Sequence, residues 1–281
     1  MTQLRQRYLE DLRLRNYSPK TQQYYVYCVS AFARYFNKTP DELGPKHIRE
    51  YQLHLLEKKK SSWAFFNQTV CALRFLYRIT LGKDWMISRI PFPRRERKLP
   101  EVLSQSEVVQ FLAAIRKLKY RTALTTAYAA GLRLSEIRNL KVSDIDSKRM
   151  TIRVRQAKGH KDRYVMLSPK LLVLLRQYWQ AQRPTTWLFP GKTKQDQLNE
   201  GVLQDVARRA RQRSGLKKKI TTHTLRHCFA THLLEAGTDI KTIQLLLGHA
   251  TLQTTLQYIH ISQRAVATVH SPFDELPEPR S

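Results

Sequence analysis

The sequence predicts a mainly α-helical protein with a small β-sheet, of the α+β class, and three observations predict it. Apolar residues recur at three- and four-residue steps behind Ser and Thr caps through most of the chain. The period changes to two only around residues 150–167. A basic, proline-containing stretch interrupts the helical pattern once, and 281 residues suit two domains that each bury a core.

Taken in order, residues 2–16 form a first helix. Ser18-Pro19 opens the next with a cap and a proline at its first position, after which Tyr24, Tyr25, Cys28, Phe32 and Tyr35 recur at helical steps. Thr39-Pro40-Asp41-Glu42 reads as a capping box, followed by a helix with Ile48, Tyr51 and Leu55 on one face. Ser62 caps another, with a core stripe of Phe66, Val70, Leu73 and Tyr77, and Gly82 stops it. Residues 1–86 therefore make a small helical domain. From 87 to 103 the periodicity disappears, and PFPRRERKLP reads as an extended basic linker whose charges face solvent or trace phosphates.

The larger domain, residues 104–267, opens on a second capping box, Ser104 to Glu107, and continues in helices to about Leu140. Met150, Ile152 and Val154 then alternate with Thr151, Arg153 and Arg155, and Tyr164 to Leu167 form a second run beyond the turn AKGHKD. That is a β-hairpin with a basic tip. Ser168-Pro169 begins another helix, and the chain from about Asn199 to Ala267 is helical again, before a tail at 268–281. No internal repeat is visible.

Charge narrows the functional class. Fifty Lys and Arg against 22 Asp and Glu leave a net +28, which would repel copies of the chain unless a polyanion neutralised it. Nucleic acid is the expected partner. No stretch approaches the length of a spanning helix and the first 20 residues hold no apolar leader, so a cytoplasmic protein with no membrane partner is expected. Cys28, Cys71 and Cys228 are odd in number and scattered among apolar neighbours, as reduced core thiols are.

One helical stretch, HTLRHCFATHLL, carries His223, Arg226, His227 and His232. His223 and His227 have the spacing of a zinc helix, but position 224 is Thr where HExxH needs Glu, so no metal site is expected. His223 and Arg226 share a helix face and can grip one phosphate together. Elsewhere, Arg133 stands in GLRLSE beside Glu136, and LGH places His249 just after Gly248, with Tyr258 nine residues later.

GLRLSE, Lys158 at the hairpin tip, HTLRH, LGH and that tyrosine, in this order and spacing, resemble the tyrosine recombinases, the phage integrase family. The resemblance covers nearly the whole chain. Bacterial site-specific recombinases are similar, and the end SPFDELP is similar to tails of integron and mobile-element integrases. It implies a helical core-binding domain and a mixed catalytic domain, acting on double-stranded DNA at specific core sites as a homotetramer. It also implies integration, excision or transposition of a DNA element, with a C-terminal segment passed between protomers. Arg133 and Arg226 would be the catalytic arginines, Lys158 the hairpin lysine, His223 and His249 the flanking histidines, and Tyr258 a nucleophile that forms a 3′-phosphotyrosine.

The chemistry agrees with these roles. Two fixed guanidinium groups stabilise charge on the non-bridging oxygens, so neither a metal nor another cofactor is needed. A tyrosine of ordinary pKa about 10 needs a base or cationic surroundings, and His223 is assigned as that base, with His249 donating to the phosphate. Lys158 would protonate the leaving 5′ oxygen, although Lys161 and Arg163 beside it are candidates for simple phosphate contact. Glu136 is given a supporting role, orienting Arg133. His227 and His232 match no catalytic position and are left as structural or DNA-facing. Lys58, Lys59, Lys60, Arg94, Arg95, Arg97 and Lys98 are further expected DNA contacts, as are the helices at 45–58 and 196–214. A type IB topoisomerase would share the tyrosine chemistry but not synapsis of two duplexes. A binding-only protein would share the charge but form no covalent adduct.

Overall fold

The computed structural model describes residues 2–84, 90, 101–155 and 162–259. The chain divides into two units, Met1–Arg97 and Lys98–Ser281. Lys158, Lys161, Arg94, Arg95, Arg97, Lys98 and the tail at 268–281 lie outside the described residues.

The first unit is helical. Its helices are α1 (Gln3–Leu14), α2 (Pro19–Phe36), α3 (Pro45–Leu53) and α4 (Trp63–Phe75). α3 and α4 each run on into a π turn, His54–Lys58 and Leu76–Thr80. Ser18 and Ser62 accept from backbone N–H groups of the first turns of α2 and α4, and so satisfy donors that helix starts leave unpaired. Tyr8, Leu12, Phe32, Ile48, Leu55, Val70, Leu73 and Tyr77 fill the core. Tyr24 and Tyr35, at the same helical steps as Cys28 and Phe32, stay exposed at the edge of that face.

The expected capping box at Thr39 to Glu42 is instead a turn, with Glu42 N–H donating to Thr39 O at 3.1 Å and Leu43 N–H to Pro40 O at 3.3 Å. The cause is tertiary. The buried Tyr77 hydroxyl donates into this turn, 2.8 Å from Pro40 O and 3.0 Å from Leu43 O, while the helix starts later at Gly44-Pro45. Lys58, Lys59 and Lys60 are exposed at the end of the π turn, and Lys59 lies over the Phe65 ring, 5.1 Å from its centroid.

The second unit packs helices around α6 (Leu118–Ala129), with α5 (Gln105–Ala113) before it and α7 (Leu134–Asn139) after it. α6 can be central because small residues, Thr122, Ala123, Thr126 and Ala127, let neighbours approach closely on several sides. The expected capping box at Ser104 forms, with Ser104 N–H donating to Glu107 Oε2 at 2.7 Å. Strands β1 (Ile145–Asp146), β2 (Thr151–Val154) and β3 (Arg163–Met166) make an antiparallel sheet in the order β1-β2-β3. Ile152 pairs with Val165 and both are buried, so the period-two reading selects the correct inner face. Met150 lies outside β2 at φ 53, in the left-handed region, where the chain turns into the strand. β1 is too short at two residues to leave a periodic signal.

α8 (Pro169–Gln182), α9 (Glu200–Ser214), α10 (Thr222–Glu235), α11 (Ile240–Leu247) and the four-residue α12 (Gln253–Leu256) complete the described unit. The segment expected to be helical is built, in its described part, of four helices. Gly215 and Gly248 end α9 and α11 at left-handed φ, and the helix expected from 196 begins only at Glu200 under an Asn199 cap. The described residues of the expected linker include two that are packed. Ile90 is buried in the first core and its carbonyl accepts from Arg74 at 2.7 Å, while Leu103 is buried in the second core. No helix of the described residues is long and apolar enough to cross a membrane.

Candidate active site

Four places in the second unit converge: the turn after α6, the start of β3, the first half of α10, and the segment from the end of α11 to Tyr258. The turn depends on Gly131, at φ 61, where an added Cβ would lie 2.4 Å from the Phe229 ring. It delivers Arg133 as the cap of α7, and Arg133 binds Glu136 twice, through its backbone N–H and its guanidinium, each at 2.8 Å. Glu136 faces inward from α7 and is buried.

Glu136 holds more than the one arginine expected of it. Arg163 at the start of β3 makes a two-pronged contact with its carboxylate, at 2.8 and 2.9 Å, and Arg226 lies 3.7 Å away. The Arg163 side chain, expected as a DNA contact, is 10% exposed and here donates to Glu136 and Leu246 O. A planar guanidinium fits a carboxylate through two parallel hydrogen bonds.

The same three arginines also close the end of α11. Arg163 donates to Leu246 O at 2.9 Å, Arg226 to Leu247 O, and Arg133 to Gly248 O at 3.5 Å. Successive carbonyls at a helix C-terminus carry unpaired acceptors and the negative end of the helix dipole, so each is a favourable seat for a cation. Arg226 donates besides to Gly131 O at 2.6 Å. At 1% exposure this guanidinium is enclosed, yet its Nε has no hydrogen-bond partner. Gly248 is required twice, by φ 61 and because an added Cβ would sit 3.0 Å from the Arg163 side chain.

The electrostatics follow from this packing. Burial alone would raise the Glu136 pKa, but the hydrogen bonds and charge of Arg163, the Arg133 N–H and the Arg226 charge bring it down to about 2. Burial and the charges of Arg133 and Arg163 lower Arg226 to about 10, against the pull of Glu136. Three guanidiniums share one carboxylate, and the site is left with a surplus of positive charge.

Around that surplus stand three histidines and a tyrosine. Tyr258 is 1% exposed, packed with Phe229, Ala230, Ile243 and Leu247. Its pKa is raised by burial, and the charges of Arg226 and Arg133 and a Gln257 hydrogen bond oppose that rise. His249 stacks on the Tyr258 ring at 11° with centroids 6.3 Å apart, and its Nδ1 lies 2.9 Å from Thr255 Oγ1. Burial, then the charges of Arg226 and Arg133, lower the His249 pKa to about 3. His223 is also lowered, by burial and by those two arginines.

His227, left as structural or DNA-facing, is neither peripheral nor turned to solvent. Its Nδ1 lies 3.1 Å from the Tyr258 hydroxyl, and its ring meets His223 edge-on with centroids 4.5 Å apart. A sequence signal existed in the helical step from His223 to His227, but that step suggested a metal helix rather than a tyrosine partner. His232 is structural: Tyr128 and Leu103 O flank its two nitrogens, each at 2.9 Å. No metal-holding group of His, Cys, Asp or Glu occurs among the described residues. The arrangement can bind an anion through arginines, hold a buried phenol against an imidazole, and move a proton between them.

Residues 101–264 match the phage integrase family, and residues 4–87 match the phage integrase N-terminal SAM-like domain. An integrase/recombinase of Sinorhizobium fredii, y4qK, is 49% identical over 280 residues, covering 99% of this chain and 91% of that one. A tyrosine recombinase of Thermosipho africanus is 31% identical, over 89% and 92% of the two chains. A lambda integrase tetramer bound to a Holliday junction has a similar fold, with a TM-score of 0.75 at 20% identity, covering 91% of this chain and 76% of that one.

Proposed function

The chain belongs to the phage integrase family of tyrosine recombinases, and from that premise we propose that it cleaves and rejoins double-stranded DNA at specific core sites through a 3′-phosphotyrosine on Tyr258. The observation that carries the reading is Tyr258 within reach of the charges of Arg226 and Arg133, two of three guanidiniums gathered around one carboxylate. Charge develops on the non-bridging oxygens of a phosphodiester under attack, and Arg133 and Arg226 supply positive charge that is already in place. Arg163 and Glu136 hold those two arginines in position rather than touching DNA. His223 and His249 flank the phosphate, and Lys158 protonates the leaving 5′ oxygen.

The reaction is proposed to proceed without metal, because the arginines supply the charge a divalent ion would. On a nicked duplex that loses its 5′ fragment after cleavage, the protein should accumulate a covalent adduct in excess EDTA as fast as in magnesium. Mass spectrometry should place that adduct on Tyr258. Loss of the adduct under chelation, with recovery on adding magnesium, would contradict the charge argument.

Complete exchange, in integration, excision or transposition, is assigned to a homotetramer around two duplexes, a reading supported by the tetrameric lambda integrase of like fold. DNA affinity should be governed by phosphate contacts from both units. A clamp on about ten phosphates gives a log K against log salt slope of about −9. Replacing the exposed Lys58, Lys59 and Lys60 together by alanine should flatten that slope by about 2 to 3. An unchanged slope in a binding titration would remove these lysines from the interface.

A further inference from the structure

We propose that His227, rather than His223, is the group that accepts the Tyr258 proton during DNA cleavage; this rests on Tyr258 being the nucleophile. The geometry is direct, since His227 Nδ1 and the oxygen of the buried Tyr258 are 3.1 Å apart. α10 presents the two histidines one turn apart, and it is the second that reaches the phenol, while the first packs against its partner's ring.

The groups facing His227 favour the neutral, proton-accepting form. On its own helix these are His223 and Arg226; from the C-terminal side they are Tyr258 and His249. α6, which also packs on α10, brings Tyr128 to His232 rather than to His227. Burial, His223 and Arg226 lower the His227 pKa to about 4, so the imidazole is unprotonated at neutral pH and Nδ1 can receive a hydrogen bond from the hydroxyl. A phosphodiester bound against Arg226 offsets one of the charges that depress it. His227 thus becomes a better base when DNA arrives.

The step balances. The tyrosine O–H bond breaks as an N–H bond forms at His227 Nδ1, the tyrosine oxygen bonds to phosphorus, and the bond from phosphorus to the 5′ oxygen breaks. The departing 5′ oxygen takes a proton from the general acid, and in rejoining the imidazolium returns its proton to the phenol oxygen.

The test is single-turnover adduct formation on the nicked duplex, at saturating DNA, from pH 5 to 9. Wild type should be nearly flat across this range, because His227 is already unprotonated through most of it. His227→Phe keeps an aromatic ring in the packing but cannot take the proton. It should be slower at pH 7 by about 10²- to 10³-fold, with log rate rising by about one per pH unit as hydroxide substitutes for the base. His227→Asn can accept a hydrogen bond but not a proton, so it should bind DNA normally and show the same slope. Two results would overturn the proposal: a flat profile with near wild-type rate in either variant, or the hydroxide-dependent slope appearing in His223→Asn but not in the His227 variants. Failure of the underlying reading looks different, because wild-type protein would then give no adduct or one on another residue.

Discussion

Tyr258→Phe should abolish the covalent adduct while leaving DNA affinity within about twofold of wild type. The substitution removes one oxygen from a ring packed among Phe229, Ala230, Ile243 and Leu247, so those apolar contacts persist. What is lost is the proposed nucleophilic oxygen and its contact with His227 Nδ1 at 3.1 Å. With no alternative oxygen in place, cleavage should fall to background, at least 10⁴-fold below wild type on the scale expected when a covalent nucleophile is removed. The check pairs adduct trapping on the nicked duplex with a binding titration. A persisting adduct in the variant would reassign the nucleophile, and lost binding would mean that the hydroxyl has a second role in the fold.

The second large effect is expected at Glu136. Its carboxylate accepts from Arg133 and Arg163 and lies 3.7 Å from Arg226, so Glu136→Gln leaves three crowded guanidiniums with no counter-charge among them. A carboxyl held at about 2, against an ordinary 4.5, contributes about 3 kcal/mol at neutral pH. The sign follows from proton uptake. Because the folded pKa is depressed, the unfolded state binds the extra proton first, and the contribution is complete above pH 4.5 and lost as pH falls toward 2. In urea at pH 7 the variant should be less stable by about 3 kcal/mol, and it should lack this part of the acid limb seen in wild type. Adduct formation should fall as well, since Arg133 and Arg226 lose the group that orients them. Equal urea midpoints with an unchanged acid limb would show that the helix-end carbonyls alone hold the arginines.

Much of the fold was legible because its signals are local. A serine before a helix with glutamate three residues on, as at Ser104 and Glu107, satisfies donors within one turn and needs no distant partner. The alternation at Ile152 and Val154 fixes an inner face in the same way. Thr39 to Glu42 shows the limit. It carries the same kind of pattern, yet Tyr77, from a distant helix, donates into the turn and decides its shape.

At the site, the residue types and their order are carried by the sequence alone: Arg133 with Glu136, His223 with Arg226, and His249 nine residues before Tyr258, within a chain of net charge +28. The first two spacings fall inside single helices, where chain geometry fixes which side chains share a face. Only the tertiary structure decided the destinations of Arg163 and His227. Arg163 is drawn inward because Glu136 and the open carbonyl of Leu246 meet at the start of β3. His227 meets Tyr258 because the segment after α11 folds back across α10. In each case the partners are many residues apart in sequence, and the pairing follows from burial, where a charge or a phenol must find a partner that water would otherwise have supplied.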